Sequence, residues 1–126
     1  KDLQKKLLEF ENNNEFTEKG LSLILLAEKL NTNTTYLSQY INDIKEINFN
    51  KYISNLRINY ITRLMYEDPY YLRLKIQSLA DACGISSRQN FSDLFQEING
   101  IRPTDFIKQR KKELEEQGNS SISVSA

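Results

Sequence analysis

The chain has 126 residues, enough for one domain or two very small ones sharing a connector. Hydrophobic residues make up 39% and charged residues 27%, with four Gly and two Pro, a composition that suits a soluble, mostly helical protein and excludes collagen-like and low-complexity classes. Formal net charge is zero, yet residues 51–112 carry eleven Lys or Arg against six acids, while 1–50 carry six against eight and 113–126 add three Glu and no base. The middle and late portion is thus net positive, which keeps an anionic partner open where the total alone argues against one.

No apolar run approaches the roughly 20 residues of a membrane span, and no signal-peptide pattern is present. The chain begins with Lys1 and its one Met is Met65, so it is expected to be a piece of a longer protein. With no His, no CxxC pair and no Gly-rich phosphate loop, zinc sites, Ser-His-Asp triads and P-loop chemistry have no support. No acid pair stands out for carboxylate catalysis either. The expectation is no enzyme, no metal and no cofactor. Cys83 is alone, so an intrachain disulfide is excluded, a cytoplasmic setting is natural, and buried packing is its expected role.

In chain order, residues 2–12 place Leu3, Leu7, Leu8 and Phe10 among charges, as in a short amphipathic helix that Asn12-Asn13-Asn14 breaks. Leu21 to Leu30 reads as a second helix with Leu23, Leu26, Ala27 and Leu30 at helical spacing, followed by Asn31, which tolerates a left-handed turn. Asn33 then caps a third helix running to about Lys45. Its apolar face is Leu37, Tyr40, Ile41 and Ile44; its polar face is Thr35, Ser38, Gln39 and Asn42. Phe49 to about Glu67 is a long helix with a stripe of Phe49, Ile53, Leu56, Tyr60 and Leu64, widened by Ile61 and Met65 and ending before Asp68-Pro69.

The stretch Ile76–Ile107 reads as two short helices around a glycine turn, then a second glycine and a Pro-started helix. Ala80 is small where two helices cross closely, and Gly84 can take the left-handed conformation that ends a helix. Ser86 offers an N-cap with Gln89 three residues on, a capping-box pattern. The next helix sets Phe91, Leu94, Phe95 and Ile98 against a face of Gln89, Ser92, Asp93 and Gln96. This is a helix-turn-helix pattern, whose second helix is the one that reads DNA. Pro103 starts a last helix in which Phe106 and Ile107 pack back and Lys108, Arg110, Lys111 and Lys112 make a basic end. Residues 118–126 are small and polar and are expected to be disordered.

The pattern occurs twice. Residues 37, 40, 41 and 44 map onto 91, 94, 95 and 98 at a shift of 54, as do polar positions 35, 38, 39 and 42 onto 89, 92, 93 and 96. Ala27 and Ala80 match at a shift of 53, so the second turn is one residue longer. The expected architecture is all-α, about seven helices in two helix-turn-helix subdomains, residues 1–48 and 68–117, joined by a linker helix over 49–67. A linker of about 18 residues spans ~27 Å, compatible with recognition helices in major grooves that recur every ~34 Å.

With those residues in view, the chain resembles the DNA-binding domain of AraC-type (AraC/XylS) bacterial transcription regulators over roughly residues 1–112. IQSLADACGISSRQNFSDLFQEINGIRPTDFI is similar to that family's C-terminal signature, and NFNKYISNLRINYITRLM to its linker helix, including Leu56-Arg57. FENNNEF with NTNTTYLSQYIN resembles a subgroup in which helical repeats and a membrane segment precede this domain. Four positions depart from the family pattern: Ile41 and Ile85 stand where Phe is usual, Glu46 where Gly ends the first recognition helix, and Arg102 where Ser precedes Pro103.

The resemblance implies base-edge contacts from Thr35, Ser38 and Gln39 in the first unit and Arg88, Gln89 and Asp93 in the second, and Asn42 and Ser92 on the same polar faces are further base-contact candidates. The recognition helices would be about 34–45 and 87–98. Candidates for phosphate contact are Asn33, Thr34, Lys45, Arg57, Ser86 and Ser87. Arg88 can donate two parallel bonds to guanine N7 and O6, and Gln89 can pair with adenine N6 and N7. The partner implied is double-stranded DNA, with RNA polymerase contacted in activation and no small-molecule ligand on this piece. The piece is expected to be monomeric and cytoplasmic, within a parent that the resemblance allows to be dimeric and membrane-tethered. The competing reading is a helical protein–protein interaction module with no DNA binding of its own, in which the duplicated helix pairs stack like repeats.

Overall fold

The computed structural model describes the backbone of residues 2–125 and the side chains of residues 2–118. Its elements are α1 (Asp2–Asn12), a 3-10 turn at Glu15–Thr17, α2 (Leu23–Lys29), α3 (Thr34–Lys45), α4 (Phe49–Glu67), a second 3-10 turn at Pro69–Arg73, α5 (Ile76–Cys83), α6 (Arg88–Asn99) and α7 (Pro103–Ser125). Among the described residues there is no strand. Helix ends follow local chemistry. Ser22, Asn33, Asn48 and Ser87 cap α2, α3, α4 and α6, each side-chain oxygen accepting from a backbone N–H three residues on. The Ser22 cap starts α2 at Leu23, two residues later than apolar spacing predicts. Asn31 takes φ 57° after α2, and Thr32 N–H then reaches back to the Ala27 carbonyl at 2.9 Å.

Two cores form, one under each helix-turn-helix. Leu3, Leu7, Phe10, Phe16, Leu26, Ala27, Leu37 and Ile41 belong to the first, and Leu72, Leu79, Ala80, Cys83, Ile85, Phe91 and Phe95 to the second. Helix α4 serves both. Its first half buries Phe49, Tyr52 and Ile53 in the first core, and its second half buries Ile58, Ile61 and Met65 in the second. At about 100° per residue these sets face roughly opposite directions, so the single stripe expected from the sequence is corrected to two. Leu56, Tyr60 and Leu64 are only partly buried, Leu56 packing on the first core, Leu64 on the second and Tyr60 on both.

Helix α7 repeats for the second unit what α4 does for the first. Under the 54-residue shift Ile47, Tyr52 and Ile53 correspond to Ile101, Phe106 and Ile107, and each trio packs on its own core. Phe106 meets Phe95 edge-on at 5.5 Å between ring centroids. Arg110, expected in a basic end, turns inward instead: it is buried, Nε donates to the Tyr66 carbonyl at 3.2 Å, and the guanidinium lies 3.8 Å from the Tyr66 ring centre. The backbone stays helical past Gly118 to Ser125, where disorder is expected over 118–126. Gly118 does not take the left-handed conformation that ends α3, α5 and α6, and no proline follows it. The side chains of 119–126 lie outside the described residues.

The two units touch directly. Gly84, at φ 91°, leaves room for the Thr17 carbonyl, which a Cβ would approach to 2.4 Å. Nearby, Lys19 pairs with Asp81 at 2.7 Å, an ion pair that holds the Asp81 carboxyl below the usual carboxylate range.

Candidate nucleic-acid interface

Helices α3 and α6 are the two halves of the candidate interface, and their construction matches. Each has twelve residues, and their N-caps, Asn33 and Ser87, stand 54 residues apart. Ser87 rather than Ser86 is therefore the cap, which corrects the sequence expectation. Its hydroxyl accepts from Asn90 N–H at 3.1 Å, and α6 begins at Arg88 rather than 87. Ser86 instead offers its carbonyl to Gln77 Nε2 at 3.2 Å. The core-facing residues Leu37, Ile41, Phe91 and Phe95 are fully buried. Both helices end in a left-handed residue, Glu46 at φ 62° and Gly100 at φ 75°.

The polar faces turn outward. Thr35, Gln39 and Asn42 on α3 and Arg88, Gln89 and Asp93 on α6 are exposed, while Ser38 and Ser92 are half-buried at the edges of those faces. Gln89 Nε2 donates to Asp93 Oδ1 at 3.0 Å, one turn along the same helix. Asn33 and Ser87 have committed a side-chain oxygen to their caps, and Thr34 follows Asn33 in the first turn, half-buried. One apolar-face expectation fails. Ile44 is 57% exposed, at the mouth of a groove between α1 and α3 that it shares with Leu8, itself 55% exposed. The α1 core stripe is Leu3, Leu7 and Phe10, which leaves Leu8 one position off it.

Two phosphate candidates are engaged within the protein. Arg57 Nε donates to the Phe16 carbonyl and its Nη2 to the Glu18 carbonyl, both at 2.7 Å. Desolvation lowers its pKa, the burial expected of a strut between α4 and the Glu15–Thr17 turn. Lys45 pairs with Glu11 at 3.4 Å, and its ammonium sits 5.7 Å from the Tyr52 ring centre. Cys83 is fully buried, its thiol donating to the Ala80 carbonyl, and burial pushes its pKa up to about 12. It remains a neutral packing group.

The family model described as "Helix-turn-helix domain" matches residues 26–109, from within α2 to the start of α7. The chain belongs to this helix-turn-helix family. Its fold is similar to the C-terminal domain of AraT, a response regulator from Geobacillus stearothermophilus, at 22% identity and TM-score 0.72 over 86% of this chain and 84% of that one. It is also similar to the C-terminal domain of the two-component response regulator yesN from Fusobacterium nucleatum, at 23% identity and TM-score 0.69 over 82% and 97% of the respective chains. A transcriptional regulator of the AraC-type DNA-binding-domain group from Chromobacterium violaceum matches at 24% identity and TM-score 0.68 over 86% and 91%. No curated protein sequence gives a significant match. The chain thus has the AraC-type all-α fold with two helix-turn-helix units, and its family and fold are those of DNA-binding regulators.

Within this helix-turn-helix domain the departures from the family pattern find physical accounts. Ile41 and Ile85 are buried, so one apolar side chain replaces another in the core. Arg102 has a neighbourhood the sequence did not disclose: with Pro103 and Thr104 it lines a groove against Gln89, Ser92, Asp93 and Gln96. The signal that could have placed it there is the 54-residue register, which sets Arg102 opposite Asn48, the residue entering α4. Among the described residues no helix is long and apolar enough to cross a membrane.

Proposed function

We propose that the chain is the sequence-specific DNA-binding module of a bacterial transcription regulator, with α3 and α6 entering successive major grooves. The observation that carries this is the pair of matched helices. Two twelve-residue helices, capped 54 residues apart, each bury a pair of core residues completely, Leu37 and Ile41 or Phe91 and Phe95, and leave a hydrogen-bonding face open to solvent. Helix α4, at 19 residues, is about 28 Å long, close to the ~34 Å between major grooves on one side of a duplex.

On this reading Arg88 grips guanine N7 and O6, while Gln89 and Gln39 address adenine. Thr35, Ser38, Asn42 and Ser92 supply further base-edge contacts. First-turn N–H groups left free by the caps, with Thr34 and the Ser86 and Ser87 hydroxyls, position the helices on phosphates. Arg57 leaves the phosphate set, since its guanidinium holds two backbone carbonyls, and Lys45 enters only after releasing Glu11. The module works in the cytoplasm as a monomeric unit of a larger regulator, and contact with RNA polymerase is the route to activation that the family implies.

Binding to random-sequence duplex across a salt series tests the proposal. Counterion release predicts a log–log slope of about −0.9 per phosphate neutralised. No binding at low salt would overturn it. That outcome would favour the protein-binding reading, which draws on the exposed Leu8 and Ile44 beside α3.

A further inference from the structure

The geometry points to Asp93 as a positioning residue that holds the Gln89 carboxamide in the one orientation that reads adenine. The inference rests on the DNA-binding reading above and names the base at one step of the site. Gln89 Nε2 donates to Asp93 Oδ1 at 3.0 Å, across one turn of α6, with both side chains exposed on the recognition face. Among the described residues Asp93 has no cationic partner, although Arg102 lines the same groove.

A free glutamine can turn its amide over and present either end. An ionised carboxylate accepts and cannot donate, so turning the Gln89 amide over would set its Oε1 against Oδ1, acceptor against acceptor. The lock leaves Gln89 one N–H and one oxygen to offer outward. Adenine asks for that pair, since its N7 accepts and its N6 donates. Guanine presents two acceptors, N7 and O6. Engaging both would take both Nε2 hydrogens, break the bond to Asp93, and leave its carboxylate facing acceptors.

The first unit lacks this device. Under the 54-residue shift Gln89 and Asp93 correspond to Thr35 and Gln39, and among the described residues the Gln39 amide has no hydrogen-bond partner. Gln39 is free to turn over. The second unit is therefore the stricter reader at this step.

The test begins with duplexes selected from a randomised library by the full chain. The relevant base position is the one whose preference Gln89→Ala erases. At that position the unmodified chain should prefer adenine to guanine by about 5- to 150-fold, the range a bidentate contact supplies. Asp93→Ala should bring the ratio towards parity while tightening binding to every duplex, because a negative charge near phosphates is gone. Asp93→Glu keeps the carboxylate and should keep the preference. An adenine preference that survives Asp93→Ala unchanged, or a guanine preference in the unmodified chain, would overturn the inference. If the unmodified chain binds DNA with no sequence preference at all, the sequence-specific function fails first and takes this inference with it.

Discussion

Arg57 illustrates how a charged residue on a predicted DNA-binding fold can serve the fold instead. From sequence its Leu56-Arg57 setting and positive charge suggest a phosphate contact; in space its Nε and Nη2 donate to the Phe16 and Glu18 carbonyls. Those carbonyls lie in and just after a 3-10 turn that hydrophobic periodicity cannot reveal, since it is too short to show a repeat. Arg57→Ala is expected to destabilise the chain by about 2 kcal/mol, the worth of charge-assisted hydrogen bonds that are partly exposed. Urea unfolding measures that loss, and the DNA affinity of the folded fraction should be unchanged. Unaltered stability with uniformly weaker DNA binding would return Arg57 to the phosphate set. The same scale shows what was legible. Asn33 as a cap, Cys83 as a buried thiol and the outward faces of both recognition helices follow from local chemistry and spacing. Ser86 and Ser87 were not separable by residue type, because either hydroxyl can cap. The 54-residue register from Asn33 decides for Ser87.

At the scale of elements, α3 carries a conflict within its own end. Its last turn closes on Glu46 at φ 62°, a conformation that costs a residue with a Cβ about 1–2 kcal/mol. The carboxylate also sits at the negative end of the helix dipole. Gly100 does the same job for α6 without either penalty. Glu46→Gly should therefore raise stability by about 0.5–1 kcal/mol after the greater freedom of glycine in the unfolded chain is subtracted. A higher melting temperature and tighter DNA binding at fixed salt are the expected readings; a lower melting temperature would mean that Glu46 makes a compensating interaction. Helix α4 marks the limit of pattern reading. A stripe search assumes one buried face, and α4 has two, because each end is packed by a different unit. Ile58 and Tyr52 fall outside a one-face stripe for that reason, although both are buried.

For the whole molecule, the duplication does more than place two recognition helices. It makes α4 the trailing helix of the first unit and the leading helix of the second, with α7 closing the series. Continuing the 54-residue shift along α7 sets Ile58 and Ile61 opposite Lys112 and Glu115, polar residues that cannot begin a third core. Net charge near zero is compatible with this design because the positive excess lies in residues 51–112, and acids there are partly engaged: Glu97 by Lys51, Asp81 by Lys19 and Asp93 by Gln89. The overall architecture was legible because both units bury the same pattern. The joints between units were not, since Gly84 against Thr17 and Arg57 against Phe16 join residues far apart in sequence.

A hydroxyl-radical footprint of the chain on its selected duplex shows whether both helices engage the DNA. Two recognition helices in successive grooves predict two protected tracts on one face of the DNA, centred about 10–10.5 base pairs apart. Alanine at Gln39 should weaken one tract and alanine at Arg88 the other. A single protected tract, or two that respond together to either substitution, would contradict the account.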